Sequence, residues 1–176
     1  MGGSGRPPSP PRLRADVKSA LRRPSARVAL VIATAFGAGY SPIAPGTAGS
    51  AVTLVILWLV PFSRLGLVIF FVVVTLAGTW AAHVAEAAIG RKDPGAIVID
   101  EVAGMTLSVL VLPLPFTTPV LLVGFVLFRI FDVVKPFPAG RSQALGGGVG
   151  VMIDDIIAGL YALIVLLALR ALTGWP

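Results

Sequence analysis

The sequence contains no cysteine and only one histidine among its 176 residues. The absence of cysteine excludes disulfide bonds, thiol nucleophiles and thiolate metal sites, and a single histidine excludes a zinc site built from several histidines. Charged residues are also scarce, at 12% of the chain, whereas soluble domains carry about 25%. Together with 56% hydrophobic residues and a mean hydropathy of +0.94, this composition indicates a membrane protein or an unusually buried one, and the length allows one domain.

The net charge of +6 comes entirely from the N-terminal tail. Residues 1–27 contain seven basic residues and one acidic residue, and the seven basic and seven acidic residues that follow cancel. The tail is rich in proline, glycine and serine, so we predict a disordered segment that faces anionic lipid headgroups. A secretory signal is a competing interpretation, because an apolar run follows the basic residues. We expect 28–176 to form a single helical domain.

Glycine and proline divide the apolar part of the chain into helices and turns. Residues 28–38 are too short to cross a bilayer, which takes about 20 residues, so we predict a re-entrant or interfacial segment there. The rest of the pattern predicts two helical hairpins and a C-terminal helix, which makes the fold class all-α and the chain a polytopic helical membrane protein. The predicted helices are 49–60, 65–88, 102–114, 120–135 and 150–172.

The positive-inside rule places the basic tail in the cytoplasm. Alternating crossings then place the turns 61–64 and 115–119 on the far side of the membrane. Every acidic residue beyond the tail falls on the cytoplasmic side, so we expect the chemistry of a multi-pass protein to face the cytoplasm. These acidic residues are Glu86, Asp93, Asp100, Glu101, Asp132, Asp154 and Asp155.

Five carboxylates beside apolar stretches are the candidate functional groups. An ionised carboxylate near hydrocarbon costs about 2.5–3.5 kcal/mol, so a bound partner should offset it. Without thiolates or several histidines, an oxygen-ligated hard cation such as Mg²⁺ is the natural partner. Simple capping of helix starts is the competing interpretation. The five are Asp100, Glu101, Asp132, Asp154 and Asp155, with Glu86 and Asp93 as further possible ligands.

Two other patterns offer groups that bind phosphate. Arg129, Asp132 and Lys135 recur at i, i+3 and i+6, on one stripe of a helix that ends before Pro136. This stripe is either an ion-pair ladder or a metal-binding carboxylate between two cations that hold phosphate oxygens. The turn Pro45–Thr47 leads into a helix whose free N–H groups can bind phosphate, although a hydroxyl cap explains the same pattern.

Four stretches contain most of these candidate residues. They are GYSPIAPGTAGS from Gly39, DPGAIVIDEVAG from Asp93, FRIFDVVKPFP from Phe128 and GVGVMIDDIIAG from Gly148. In this order they resemble the phosphatidylglycerophosphatase A family of bacterial membrane lipid phosphatases, over nearly the whole chain after the tail. The resemblance implies Mg²⁺-dependent hydrolysis of phosphatidylglycerophosphate to phosphatidylglycerol and phosphate at the bacterial cytoplasmic membrane.

The resemblance also implies roles for individual residues. Catalytic and metal-binding roles fall on Asp100, Glu101, Asp132, Asp154 and Asp155, and phosphate-binding roles fall on Pro45, Gly46, Thr47, Arg129 and Lys135. Attack by water and attack by an aspartate through a phosphoenzyme both stay open. We expect a phospholipid substrate and a membrane as partners, and no nucleic acid.

The main alternative is a small cation transporter or channel that uses intramembrane carboxylates. It predicts acidic residues spread along the depth of the membrane, whereas those of this sequence collect on one face. An alcohol phosphotransferase would need a different spacing of carboxylates, which the sequence lacks. A purely structural subunit would leave the acidic pairs unexplained.

Overall fold

The computed structural model describes residues 23–92, 94–139 and 145–174. Over these ranges the chain forms six α-helices and no strand, which confirms the all-α prediction. A short 3₁₀ helix, Ala38–Tyr40, joins the first two. The α-helices are α1 (Pro24–Ala33), α2 (Pro45–Leu59), α3 (Arg64–Ile89), α4 (Ile99–Val109), α5 (Thr118–Val134) and α6 (Gly147–Thr173).

The ends of the helices differ from the predicted ends for local reasons. Helix α1 begins at Pro24, so residues 24–27, which we assigned to the tail, form its first turn. Helix α2 begins at Pro45, several residues earlier than expected, because the fixed φ of proline suits the first position of a helix. Helix α4 stops at Val109, before the predicted end, because Pro113 disfavours helical backbone in the residue that precedes it.

Helix α4 lies at the centre of the fold, where it packs against α2, α3, α5 and α6. Nine of its 11 residues are buried. Its approach to α6 is close because both helices carry glycine at the crossing. A Cβ added at Gly104 would lie 2.6 Å from the backbone oxygen of Asp155, and one at Gly159 would lie 2.3 Å from that of Gly104. This crossing brings the acidic segments of the two helices together.

Two helices of the described chain, α3 and α6, are long and apolar enough to cross a membrane, with 26 and 27 residues. Helices α2, α4 and α5 have 15, 11 and 17 residues, which is shorter than the span of about 20 residues that a crossing takes. The outward face of α3 presents a continuous apolar stripe that recurs every three or four residues. The stripe consists of Leu65, Ile69, Val73, Leu76 and Trp80.

The two turns predicted to share one side of the membrane lie next to each other. Residues 57–62 and 114–116 line one cavity of about 440 Å³. The guanidinium of Arg64 donates hydrogen bonds to the backbone oxygens of Leu110 and Leu112, beyond the last turn of α4. Because these contacts fix one end of the bundle, the first turns of α2 and α4 and the last turn of α5 lie at the other end.

Candidate active site

Three helix ends and one helix interior meet at the acidic end of the bundle. Helices α2 and α4 contribute their first turns, α5 its last turn and α6 the residues around position 155. The acidic residues of α4 lie in its first turn, where the positive end of the helix dipole favours carboxylates. Helix α5 stops at Val134, because Pro136 follows and Lys135 takes a left-handed conformation at φ +47°. These helix ends determine which side chains reach the site.

Asp100, Glu101 and Asp155 form the centre of the site. Each offers a carboxylate oxygen that lies within 4.8 Å of the oxygens offered by the other two. Asp100 exposes 8% of its surface and Asp155 exposes 3%. One buried oxygen of each, Asp100 Oδ1, Glu101 Oε2 and Asp155 Oδ2, has no hydrogen-bond donor among the described residues. Because a buried carboxylate oxygen without a partner is costly, this arrangement fits a bound cation.

The remaining two predicted carboxylates extend this centre. The side chains of Asp132 and Asp155 lie within hydrogen-bonding reach of each other. Asp154 is 5% exposed and pairs with the ammonium of Lys135. All five carboxylates that the sequence singled out are therefore neighbours, although they come from three separate helices.

Arg129 lies between two members of the cluster. Its Nη1 atom is 2.6 Å from Oδ2 of Asp132 and 3.9 Å from Oε1 of Glu101. The contact with Asp132 is the i, i+3 pair expected from the sequence, and the contact with Glu101 joins α5 to α4. The ion-pair interpretation and the functional interpretation of this stripe are thus compatible, because the same guanidinium holds two carboxylates of the site.

The electrostatic balance of the site is strongly negative. Five carboxylates face two cations, Arg129 and Lys135, which leaves three negative charges when every group is ionised. Burial raises the pKa of Asp100, which lies outside α3 and α6, well above its usual range, and the charges of Glu101 and Asp155 raise it further. The cluster therefore favours either bound protons or a bound cation.

The same negative charge stabilises the protonated form of Lys135. Burial alone would lower its pKa, but the hydrogen bond to Asp154 and the charges of the acidic cluster outweigh burial and raise the pKa. The ammonium therefore stays protonated and offers a permanent positive charge at the rim of the site.

The turn that begins α2 reaches the cluster through Gly46. A Cβ added at Gly46 would lie 2.1 Å from Oε1 of Glu101 and 3.2 Å from Nη1 of Arg129. Ala44, which precedes the helix, provides no side-chain cap, so the first-turn N–H groups of α2 have no capping side chain. Thr47 lies half-buried in the same turn. This end of α2 suits an anion.

Ser50 has a role that the sequence did not reveal. Its side chain is completely buried, and its hydroxyl donates to the backbone oxygen of Gly46 at 2.9 Å. The same hydroxyl accepts a long hydrogen bond of 3.5 Å from Nη1 of Arg129. The structure thus places this hydroxyl against the guanidinium of Arg129. No local pattern predicts this contact, since it joins α2 to α5.

Two further candidate ligands are not part of this cluster as described. Glu86 lies near the end of α3, where it lines a separate open cavity of about 340 Å³ together with His83 and Gly147. Exposed basic residues, Arg91 and Lys92, complete that cavity. Asp93 lies outside the described residues. Of the six candidate carboxylates within the described residues, the structure therefore brings five together.

Comparison with known proteins agrees with the four motifs. The family model described as Phosphatidylglycerophosphatase A matches residues 31–170. A relative from Bacteroides thetaiotaomicron with a provisional phosphatidylinositol-3-phosphatase name is 39% identical over 164 residues, which cover 88% of this chain and all of the relative. No solved structure matches the chain.

Two other relatives carry the family name itself. The phosphatidylglycerophosphatase A of Haemophilus influenzae is 37% identical over 144 residues, which cover 80% of this chain and 87% of the relative. That of Escherichia coli is 37% identical over 134 residues, which cover 75% and 77%. The family model and these relatives confirm the resemblance: the chain belongs to the phosphatidylglycerophosphatase A family and is a phosphatase.

Proposed function

We propose that the chain is a Mg²⁺-dependent lipid phosphatase that hydrolyses phosphatidylglycerophosphate to phosphatidylglycerol and phosphate. The observation that carries this proposal is the cluster of five buried or partly buried carboxylates, in which Asp100, Glu101 and Asp155 each have an oxygen without a hydrogen-bond donor among the described residues. Membership in the phosphatidylglycerophosphatase A family supports the same reaction.

Asp100, Glu101 and Asp155 would hold the cation. Their ligand atoms are all carboxylate oxygens, which Mg²⁺ prefers, and their mutual separation suits a shared ion. Asp132 and Asp154 would complete the set as further ligands or as groups that orient water. The bound ion would neutralise the negative charge of the site and activate the attacking group.

The groups around the cluster would bind the phosphate. Lys135 contributes a protonated ammonium beside Asp154, and the first turn of α2 contributes N–H groups without a side-chain cap. Thr47 adds a hydroxyl in that turn. Arg129 contributes a guanidinium held in place by Asp132. A phosphate monoester bound there would meet positive groups on its outer oxygens and the carboxylate cluster on the reacting side.

The membrane arrangement follows from the positions of these groups. Helices α3 and α6 would cross the bilayer, and the acidic end of the bundle would lie at the cytoplasmic interface, where phospholipid headgroups are found. The basic tail supports this orientation, because basic segments favour the cytoplasmic side. The cluster lies at one end of the bundle, which favours a headgroup enzyme over a cation channel.

The test is phosphate release by the purified full chain in detergent. We expect release from phosphatidylglycerophosphate in Mg²⁺, loss of release in EDTA, and a fall of about 10²–10⁴-fold in the Asp100→Asn variant. The matched control is Glu86→Gln, which removes a carboxylate outside the cluster and should keep the wild-type rate. Thermal unfolding of both variants in the same detergent shows that any loss of rate is not a loss of fold.

Two outcomes would change this proposal. Faster release from phosphatidylinositol 3-phosphate or phosphatidic acid would keep the phosphatase and replace its substrate. Release that persists in EDTA, or in folded Asp100→Asn protein, would contradict the assigned metal site. Absence of release from all three lipids, with cation flux through reconstituted vesicles, would favour the channel.

A further inference from the structure

Large apolar side chains project from the segment that joins α1 to α2. Phe36 is 87% exposed, Tyr40 is 65% exposed and Ile43 is 82% exposed. Single exposed apolar residues are ordinary on protein surfaces. Three aromatic or aliphatic side chains within eight residues form a patch, and such patches usually mark a contact surface.

The backbone of this segment holds these side chains outward. Phe36 has φ +56° and its neighbour Ala35 has φ +45°, values that residues with bulky side chains rarely adopt. The conformation is fixed from behind, because the N–H of Val98 donates to the oxygen of Ala33 at 2.8 Å. Gly39 lies against the backbone of Ala96, where a Cβ would be 2.0 Å from the carbonyl oxygen. Strain of this kind persists where it serves a function.

The segment borders the acidic site. Its last residue, Ala44, precedes the turn of α2 in which Gly46 touches Glu101 and Arg129. The loop against which it packs, residues 96–98, leads directly into Asp100. The segment that carries the exposed apolar side chains therefore adjoins the site.

A second exposed apolar group follows the last functional residues of α5. Val133 is 72% exposed, Val134 is 67% exposed and Phe137 is 71% exposed. Val133 and Val134 lie between Asp132 and Lys135, which belong to the site, and Phe137 follows two positions after Lys135. Exposed apolar side chains thus occur on two separate elements beside the same acidic cluster.

Charge and continuity indicate a lipid leaflet as the occupant of this surface. Helix α1, which precedes the segment, carries the exposed Arg27 and follows a tail with an excess of positive charge. Positive charge beside apolar groups suits an anionic lipid surface. Exposed apolar side chains continue along α1 at Val28 and Val31, and α1 packs on α3, the helix that carries the apolar stripe. A protein partner would not require this continuity.

We propose that these six side chains form an apolar collar that inserts into the lipid leaflet around the acidic site. The collar lets an anionic phospholipid present its phosphate to the carboxylate cluster while its acyl chains stay in the bilayer. The exposure and position of these side chains support the insertion into lipid. Only the identity of the lipid phosphate rests on the proposed function. The collar consists of Phe36, Tyr40, Ile43, Val133, Val134 and Phe137.

The absence of cysteine makes a direct test possible, because each single-cysteine variant carries one spin label. Phe36→Cys, Ile43→Cys and Phe137→Cys, in the full chain, are reconstituted into vesicles of phosphatidylcholine and phosphatidylglycerol. Leu76→Cys on the stripe of α3 serves as the lipid-facing control and Arg91→Cys as the water-facing control. The measurement is the accessibility of each label to oxygen and to a water-soluble nickel chelate.

We expect the three collar labels to behave like the label at position 76, with high oxygen accessibility and loss of nickel accessibility. Collar labels as accessible to nickel as the label at position 91 would overturn the proposal. Because this measurement needs no enzymatic activity, it tests whether the collar inserts into lipid even if the proposed phosphatase reaction is not observed.

A kinetic measurement tests the role of the collar in substrate access. The double variant Phe36→Ser with Ile43→Ser should raise KM for long-chain phosphatidylglycerophosphate in vesicles about tenfold or more, since two buried apolar contacts with lipid are lost. Its kcat on a short-chain, water-soluble analogue should stay at the wild-type value. Equal losses on both substrates would contradict a role in access to the bilayer.

Discussion

Replacement of Gly46 by alanine separates the geometry of the site from the stability of the fold. Gly46 occupies the second position of α2 and has no positive φ, so the backbone accepts alanine. The new Cβ would lie 2.1 Å from Oε1 of Glu101, although such contacts essentially never fall below 3.0 Å. The carboxylate must therefore retreat by about 0.9 Å, and Nη1 of Arg129, at 3.2 Å, must move by a few tenths of an ångström.

The two effects of this substitution differ greatly in size. Alanine is the better helix former by up to about 1 kcal/mol, and the displaced atoms end a flexible side chain, so the free energy of unfolding should change by less than about 1 kcal/mol. A displacement of about 1 Å in a catalytic group can cost about 10²-fold in rate. Gly46→Ala should therefore unfold at nearly the wild-type temperature and lose about 10²-fold in phosphate release.

The assay pairs initial rates of phosphate release with thermal unfolding in the same detergent. Gly95→Ala is the matched control, because no atom of the described residues lies within 4 Å of the Cβ position at Gly95 and its φ is also not left-handed. The Gly95→Ala control should keep the wild-type rate of phosphate release and the wild-type unfolding temperature. A folded Gly46→Ala protein with a wild-type rate would refute the reasoning, since it would show that the position of Glu101 tolerates the displacement.

Three further substitutions have distinct expected results. Arg64→Met should lower the free energy of unfolding by about 1–2 kcal/mol in detergent, because the carbonyls beyond α4 lose their charged donor, and it should leave kcat unchanged at permissive temperature. Lys135→Met should lower the free energy of unfolding by about 1–3 kcal/mol and should also lower the rate of phosphate release, because Asp154 loses its ion-pair partner. A wild-type KM and kcat would contradict this expectation. Gly104→Ala should destabilise the fold by about 1–3 kcal/mol, measured by thermal unfolding, because its Cβ would overlap the backbone oxygen of Asp155; Gly95→Ala again serves as the control.

The helices of this protein follow from local features of the sequence. Proline and glycine mark the turns, and the apolar runs between them are long enough to identify α3 and α6. The convergence of the carboxylates also follows, because alternating helices bring every second connection to the same side. The early start of α2 at Pro45 and the early end of α4 at Val109 differ from the predicted bounds, because Pro45 can begin a helix and Pro113 disfavours its continuation.

Contacts between helices account for what the sequence did not reveal. The contact of Glu101 with Gly46 depends on the distance between α2 and α4, which no local sequence pattern encodes. The contact of Ser50 with Arg129 has the same origin, since these residues are 79 positions apart. Glu86 shares the acidic end of the bundle with the cluster but lines a different cavity beside Gly147. Two carboxylates at the same end of the bundle therefore need not belong to the same site.

The charge balance of the proposed site couples the binding of a cation to the binding of a phosphate. Five carboxylates against Arg129 and Lys135 leave three negative charges, and a phosphate monoester brings about two more. At an effective dielectric constant of about 20, two unit charges 4 Å apart repel by about 4 kcal/mol, so the phosphate cannot approach the bare cluster. A divalent cation bound at the carboxylates that lack donors would reduce this excess to one negative charge and would offer the phosphate oxygens a positive ion to contact. Because linkage is reciprocal, a phosphate bound beside Lys135 should tighten the cation by the same factor by which the cation tightens the phosphate.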